Sequence, residues 1–591
     1  MSLGTCLGRL RGGQSASMSK HLLMRRFGAA AASIALLTAA LVPAAGAAPP
    51  DSCGDGSPSK AVTGTFTDDV EGSYVLVPFR VPAGTTRVNV RLCYDQPESP
   101  TSSQVRHTID LGLYGPRGAK DRLWDADEFR GWGGSSRLDA FVTREDATLG
   151  FLPGPITRGR WAAELGIAAI AGQDEGDSGG DVGWRLEILL GRSPADRDQR
   201  WRPTSYRTAP GNKKPGWYKG DFHVHAEHSG PGDATMEETF NYAFSPEGAG
   251  LDFITLSDYV TTRHWHEIGR YQRDYPGKLI VRSAEVITYR GHINNHASVR
   301  FADYRTGAIY LLKKQELVEL RSPVPPRRIF KTVRRAGGWT QVNHPTIFDS
   351  SVPGFGNVCR GCSWDYSDDE TNWNLVDAFE IATGPGGTSS PEGNELGPNP
   401  FTPLAIDMWD GLRAAGFRIT AVGSSDSHHA GGGNGTTQSP IGEATTVVYA
   451  PELSETGIRA GIRAGHAYVK IFGPNGPDLR FEGRVPGAPT AAIMGDRVET
   501  ESMDFLAKVT GAAPGPSSQP RTLLIMKDGQ EIESAPVTSD DFTFEFPSQG
   551  PGDYRLQLMR NSAIEALTNP ISLVPAERDV RVTLDHIRHF I

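Results

Sequence analysis

The sequence predicts a multidomain chain in which an α/β core is flanked by N- and C-terminal β-sandwich domains. Three observations carry that prediction. The length, 591 residues, exceeds what a single hydrophobic core supports. Short alternating strand patterns separated by Gly and Pro fill residues 55–195 and return over 475–591. Between them, over 216–470, apolar strands alternate with helical patterns, as in βα units.

Residues 1–47 have the order of an export signal and its upstream segment: Arg25 and Arg26, the apolar run FGAAAASIALLTAALV, then the small-residue site Ala45-Gly46-Ala47. The run is too short and too alanine-rich for a stable membrane span. The arginine pair matches a twin-arginine signal only loosely. Cleavage after Ala47 predicts a secreted or extracytoplasmic protein without stable membrane insertion. Cys6 then leaves with the signal, and four of the five cysteines enter an oxidising compartment, where pairing is expected. Cys53 with Cys93 is the expected staple of the first sandwich. The CRGC stretch, Cys359 to Cys362, fits a zinc half-site, a redox pair or a loop disulfide; with no second CxxC, the loop disulfide is favoured.

The first sandwich is read from YVLVPFRV, TRVNVRLCY, HTIDLGLYG, DAFVTRE, GRWAAELGI and VGWRLEILLG. Its acidic stretch AGQDEGDSGGD is a solvated loop rather than a calcium site. Residues 196–215, rich in Arg, Pro and Asp, are the linker. In the core, Thr235 and Glu238 form a capping box that opens the helix TMEETFNYAF, and LDFITL follows as a buried strand. PRRIFKTVRRAGG and PLAIDMWDGLRAAG are helices, each before a strand, WTQVNHP and FRITAVG. The second sandwich is read from LLIMKDGQEI, FTFEF, YRLQLMR and ISLV.

A net charge of −9 and the absence of a long basic run argue against nucleic acid as the partner. The chemistry is concentrated in the core, where strands repeatedly end in a metal-competent side chain: His223 and His225 after GDF, Asp258 after DFITLS and Glu285 after LIVRSA. His344 follows WTQVN, and Asp426 and His428 follow ITAVGSS. In an extended segment residues i and i+2 point the same way, so His223 and His225 present both imidazoles to one side. In a parallel barrel such strand ends converge on one site. Mixed imidazole and carboxylate donors suit zinc, manganese or iron.

GDFHVHAEHSG, LDFITLSDY, SAEVITYRGHIN, VNHP and VGSSDSH resemble, in order, the motifs of the PHP (polymerase and histidinol phosphatase) superfamily of metal-dependent hydrolases, over residues 216–470. AGHAYVKIFGPNGPDLRF and ALTNPISLV further resemble the CehA/McbA type. The resemblance implies a distorted (β/α)7 barrel holding two divalent metal ions, or three, and hydrolysis of a small phosphoester, ester or amide by metal-activated hydroxide. It makes His223, His225 and Asp426 ligands of a first metal, Glu285 a bridge, His292 and His344 ligands of a second, and His428 a ligand of a third. Asp426, Glu285 and His344 are the catalytic candidates. His296 is the alternative to His292.

Two departures fall on the third position, which implies a weak or absent third metal. Asp258-Tyr259 stands for the usual Asp-His, and Ser229-Gly230-Pro231-Gly232-Asp233 for the usual Ser-Asp-Gly. Asp233 or His228 is the candidate replacement for the lost carboxylate, and His264 or His266 for the lost imidazole. Tyr259 is a candidate hydrogen-bond donor to substrate, Arg263 and Arg290 are candidate anion binders, and Glu380 is a lesser candidate acid. The expected substrate is a small molecule, with a surface polymer as a further candidate partner of the β domains. The competing reading is a secreted binding protein on a catalytically degraded PHP scaffold.

Overall fold

The period-two pattern of the first region forms two facing sheets. Lys60–Thr67, Asp181–Gly191, Arg87–Tyr94 and Asp139–Thr143 make one, all antiparallel. Tyr74–Val81, Gly159–Ala169, Thr108–Tyr114 and Phe129–Gly134 belong to the other. Their alternate residues, among them Val75, Val77, Val88, Val90, Leu111, Leu165 and Leu186, bury against one another as the sandwich core. The Cys53–Cys93 disulfide ties the start of the segment to Arg87–Tyr94. The structure is a computed structural model that describes residues 48–95, 107–116, 123–171, 180–193, 201–230, 232, 234–349, 351–352, 361–384, 387–389, 395–432, 439–512 and 520–575. The expected signal segment, most of the acidic loop, Cys359 and Asp233 lie outside these residues. Cys362 is disulfide-bonded and so offers no free thiolate to a metal.

One element of this sandwich comes from far along the chain. The hairpin Ile309–Lys313 and Glu316–Arg321 lies within the numbered range of the α/β region, yet Ile309–Lys313 pairs in parallel with Tyr74–Val81 and widens the sandwich sheet to six strands.

In the central region Gly216–Val224, Phe253–Leu256 and Leu279–Arg282 pair in parallel. Helix Met236–Phe244 starts at the Thr235/Glu238 capping box and buries Met236, Phe240 and Phe244. The βα alternation then breaks. Glu285–Thr288 and Gly291–His296 form an antiparallel hairpin, whose turn needs Gly291 at φ +146°, where a Cβ would lie 2.4 Å from the Trp364 ring. This hairpin continues into Trp339–Val342, Ala378–Thr383 and Thr420–Ser424, a sheet of five strands. Helices Arg327–Arg335, Phe401–Ala414 and Glu455–Ala464 accompany these strands.

The first central sheet does not stop at the core. Thr445–Ala450 pairs antiparallel to Gly216–Val224 and leads through Ala467–Lys470 to Ala563–Thr568, Gly552–Arg560, Arg521–Lys527 and Gln530–Pro536. The second β region therefore shares a backbone ladder with the core. Its facing sheet, Asp478–Arg484, Ala492–Ile493, Asp504–Thr510 and Asp541–Pro547, packs Phe481, Phe505 and Phe546 onto the shared one. Among the described residues no helix is long and apolar enough to cross a membrane.

Candidate metal centre

Backbone hydrogen bonds draw the strand ends together. Asp426 N–H donates to the His223 carbonyl and His225 N–H to the Ser427 carbonyl, each at 2.9 Å, and Val224 bridges Ser427 in parallel. The HxH segment and the SSDSH segment therefore lie side by side. Glu285 N–H donates to the Ser257 carbonyl and Val260 N–H to the Glu285 carbonyl, each at 2.9 Å, joining the exit of Phe253–Leu256 to the start of the hairpin. Asn343 N–H donates to the His292 carbonyl at 3.1 Å. Asp426 and His344 sit at φ +53° and +25°, backbone positions rarely taken by non-glycine residues and held here by the surrounding bonds.

Two donor groups result, and they share one carboxylate. His223, His225, Glu285 and Asp426 place ligand atoms within 4.8 Å of one another, as do Glu285, His292 and His344. Asp426 Oδ1 lies 3.2 Å from His223 Nε2 and 2.9 Å from His225 Nε2. Glu285 Oε1 lies 3.4 Å from His223 Nε2, 3.2 Å from His292 Nδ1 and 3.3 Å from His344 Nε2. The group is buried except for the Asp426 side chain, which is 24% exposed and marks the way in from solvent.

The far nitrogens of His344 and His225 are engaged. His344 Nδ1 lies 3.0 Å from the Cys362 carbonyl, which can only accept, so Nδ1 carries the proton and Nε2 turns its lone pair toward Glu285. His225 Nδ1 lies 2.8 Å from Ser229 Oγ, whose own proton goes to Asp258 Oδ1 at 2.9 Å; Nδ1 is therefore the donor and Nε2 faces Asp426 as an acceptor. His223 Nδ1 lies 3.4 Å from Glu380 Oε1. Glu380 Oε2 also accepts the His344 backbone N–H at 2.6 Å, and Asn343 Nδ2–H holds Glu285 Oε1 at 2.9 Å. Buried lone pairs of imidazole and carboxylate facing one another need positive charge between them.

The protonation equilibria register that need. Burial alone would lower the His223 pKa, but the Asp426, Glu285 and Glu380 carboxylates outweigh it and hold the ring well above the usual histidine range. Burial would likewise raise Glu285 and Asp426, yet the imidazoles, His223 foremost, keep both below the usual carboxylate range. Divalent ions satisfy the same demand with stronger bonds, and a mixed imidazole and carboxylate set suits them. The residues present therefore fit divalent metal ions.

Two expected ligands stand outside both groups. Asp258 is turned behind the site, where Oδ1 accepts from Ala226 N–H (2.7 Å) and Ser229. His428 lends Nδ1–H to the Asp426 carbonyl (3.0 Å) and stacks on His225 with ring centroids 4.2 Å apart. Its Nε2 is buried without a hydrogen-bond partner, and burial, with His225 beside it, pushes its pKa down to about 4. His292 rather than His296 faces Glu285; His296 stacks on Trp339 at 4.0 Å and meets Gln341.

Neither arginine singled out from the sequence is free to bind an anion. Arg263 pairs with Glu267 (3.0 Å) and donates to the Ala147 carbonyl (2.8 Å), and Arg290 is held by Glu370 (2.9 Å). His264 donates to the Ser283 carbonyl, and burial brings it to a pKa of about 4. His266 packs edge-on against Trp201. A third acidic and imidazole group, Glu227, His228 and Glu267, had no single motif behind it. There Nε2 of His228 meets Glu267 Oε2 (3.2 Å), and Nδ1 is taken by Gly150 N–H, from which it accepts (3.4 Å). No sequence motif marks Ser229, Asn343 or the Cys362 carbonyl as supports; the carboxylate of Glu380 inside the apolar run VDAFEIATG is the one signal of this kind.

No family model matches the chain, and no curated protein matches it. Among solved structures it is similar to a two-domain protein containing predicted PHP-like metal-dependent phosphoesterase from Bacteroides vulgatus, at 15% identity over 63% of this chain and 99% of that one, with a TM-score of 0.32. It is also similar to a lesion-specific endonuclease from Pyrococcus furiosus, at 15% identity over 43% of this chain and 58% of that one, with a TM-score of 0.28. An immunoglobulin-like protein from Pseudomonas aeruginosa overlaps 16% of this chain and 92% of its own length at 12% identity, with a TM-score of 0.12. At such identities and scores the functional reading is left to the side chains themselves.

Proposed function

We propose that this chain is a metal-dependent hydrolase of the PHP superfamily, with donor groups for two divalent ions and a small phosphoester as substrate. The observation that carries the reading is the Glu285 carboxylate shared between two buried donor groups whose imidazole and carboxylate acceptors face one another. Motif order supports the distorted (β/α)7 barrel, and the flanking β regions support the CehA/McbA-like type. The Cys53–Cys93 disulfide supports export to an oxidising compartment.

His223, His225 and Asp426 would hold one ion, His292 and His344 the other, and Glu285 both. Bound divalent ions supply charge that acidifies water and receives the negative charge growing on the attacked group's oxygens. The chain's residues set that arrangement in advance. Asn343 fixes the Glu285 rotamer, Glu380 fixes the His344 backbone and backs His223, and Asp258 acts through Ser229 to orient His225. The Tyr259 ring packs edge-on against His225 with centroids 5.2 Å apart, and its hydroxyl is the neighbouring donor for a substrate oxygen. Phosphoesters rank above carboxylic esters and amides because a pair of ions suits in-line displacement at phosphorus.

The test is metal content per chain together with rates on aryl phosphate, carboxylate ester and carbamate panels. Glu285→Gln should lose both ions and hydrolysis together. Two ions and full activity retained in that variant would overturn the reading, as would a wild-type protein that binds no divalent metal.

A further inference from the structure

Strand Tyr74–Val81 has two faces with different fates. Val75, Val77, Phe79 and Val81 point into the first sandwich, whereas Tyr74 and Leu76 pack on the α/β core beside Ala162. The second face runs on past the edge of that core, and its composition changes there to Pro78 and Arg80. Across the ladder Pro78 stands opposite Ala162, and Arg80 directly opposite Arg160. Arg158 precedes Arg160 by two residues and lines the same groove. Lys60, at the start of the other sheet, reaches over to donate from Nζ to the Pro78 carbonyl at 3.0 Å.

These four cations line a groove of about 730 Å³, and no acidic residue lines it among the described residues. Among the described residues the Arg80 and Arg158 side chains make no hydrogen bond or ion pair, and the Arg160 side chain is engaged only through its guanidinium over the Trp124 ring, 5.2 Å from the centroid. Like charges directly opposite on a sheet are destabilising. The arrangement also runs against the net charge of −9 for the whole chain.

We infer that this groove binds an acidic polysaccharide whose charges are carboxylates or phosphates. Guanidinium groups match both anions through paired N–H donors. Phe79, the one aromatic residue of the lining, is buried at 4% exposure, so no ring is offered on which nucleic acid bases could stack. A groove with four cations in its lining, whose exposed apolar side chains are only the small Pro82 and Ala83, fits a charged chain better than a lipid surface. The inference stands apart from the hydrolase reading and concerns a different face of the chain.

The experiment measures binding of the purified protein to polygalacturonate and to phosphorylated dextran, with neutral dextran and a single-stranded oligonucleotide as comparison arms. Wild type should bind at least one acidic polymer, more weakly as salt rises, and should bind neutral dextran not at all. The double variant Arg80→Glu, Arg158→Glu should weaken that binding about tenfold or more, with its hydrolysis rate and thermal midpoint unchanged. Equal binding by variant and wild type, binding to neither acidic polymer, or tighter binding of the oligonucleotide would overturn the inference.

Discussion

Replacing Ser229 by Ala removes one oxygen that three groups share. Ser229 Oγ lies 2.8 Å from His225 Nδ1, 2.9 Å from Asp258 Oδ1 and 3.1 Å from the Tyr259 backbone N–H, and the residue is fully buried. The substitution strands two donors, Nδ1–H of His225 and N–H of Tyr259, while Asp258 keeps its bond from Ala226. A buried donor without a partner costs about 1–3 kcal/mol, so folding stability should fall by roughly 2–6 kcal/mol, measured by chemical denaturation of the metal-free protein. The second consequence is specific to the site. With its far nitrogen unanchored, His225 loses its fixed tautomer and orientation, and loss of such support typically weakens metal binding about 10- to 100-fold. Competition with a chelator of known affinity reads that change directly. Asp258→Asn, which keeps an acceptor for Ser229 and Ala226 but removes the charge, should show a smaller loss. A folded Ser229→Ala protein with wild-type metal affinity would refute the claim that Asp258 serves the centre through Ser229.

Two further outcomes are expected away from the centre. Cys53→Ser opens a link spanning a sequence separation of 40, which in the chain-entropy account costs about 4 kcal/mol; reductant, which also opens the disulfide of Cys362 in both proteins, should destabilise wild type more than the variant by about that amount. Burial raises the Asp110 carboxyl to about 7, against the Tyr289 hydroxyl that donates to it, so between about pH 4 and 7 the folded state holds a proton that the unfolded state has released. Stability should therefore fall as pH rises through that window, by about 4 kcal/mol, and denaturation profiles of Asp110→Asn should lack this slope; superimposable profiles would count against it.

What could be read from the sequence follows how local each signal is. The helix at Met236–Phe244 begins where its capping box places it, because Thr235 and Glu238 satisfy the free N–H groups within one turn. The turn of Arg521–Lys527 and Gln530–Pro536 carries Asp528 and Gly529 at φ +50° and +80°, the hairpin chemistry that DG announces. The hairpin Ile309–Lys313 and Glu316–Arg321 carries no such mark, since its turn places Lys314 and Gln315 at φ +52° and +69° without a glycine or asparagine. Its pairing partner lies more than two hundred residues earlier, at Tyr74–Leu76, and no local pattern encodes that. In the site, the juxtaposition of His223 and His225 follows from the strand period alone. That Asp258 turns behind the site depends on the path of the loop through Ala226 and Ser229, a matter of loop geometry that spacing does not specify.

The same loop explains why the first sandwich and the centre are not separable parts. The Arg137 guanidinium, from the sandwich, donates to the carbonyls of Glu227 (2.7 Å), His228 (2.8 Å) and Ser229 (2.6 Å), three consecutive residues beginning two past His225. Arg263, from the core, returns the contact to the carbonyls of Ala147, Thr148 and Phe151. Trp132 of the sandwich packs edge-on against Tyr259, with centroids 5.9 Å apart. Charged donors on backbone carbonyls are among the stronger hydrogen bonds, and a planar guanidinium fixes the directions of several at once. The path of residues 227–229 is thereby set from the sandwich side, and with it the Ser229 hydroxyl that orients His225. The β domain beside the core is thus a wall of the centre, and the geometry that presents His225 to an ion is completed by a residue more than eighty positions earlier in the chain.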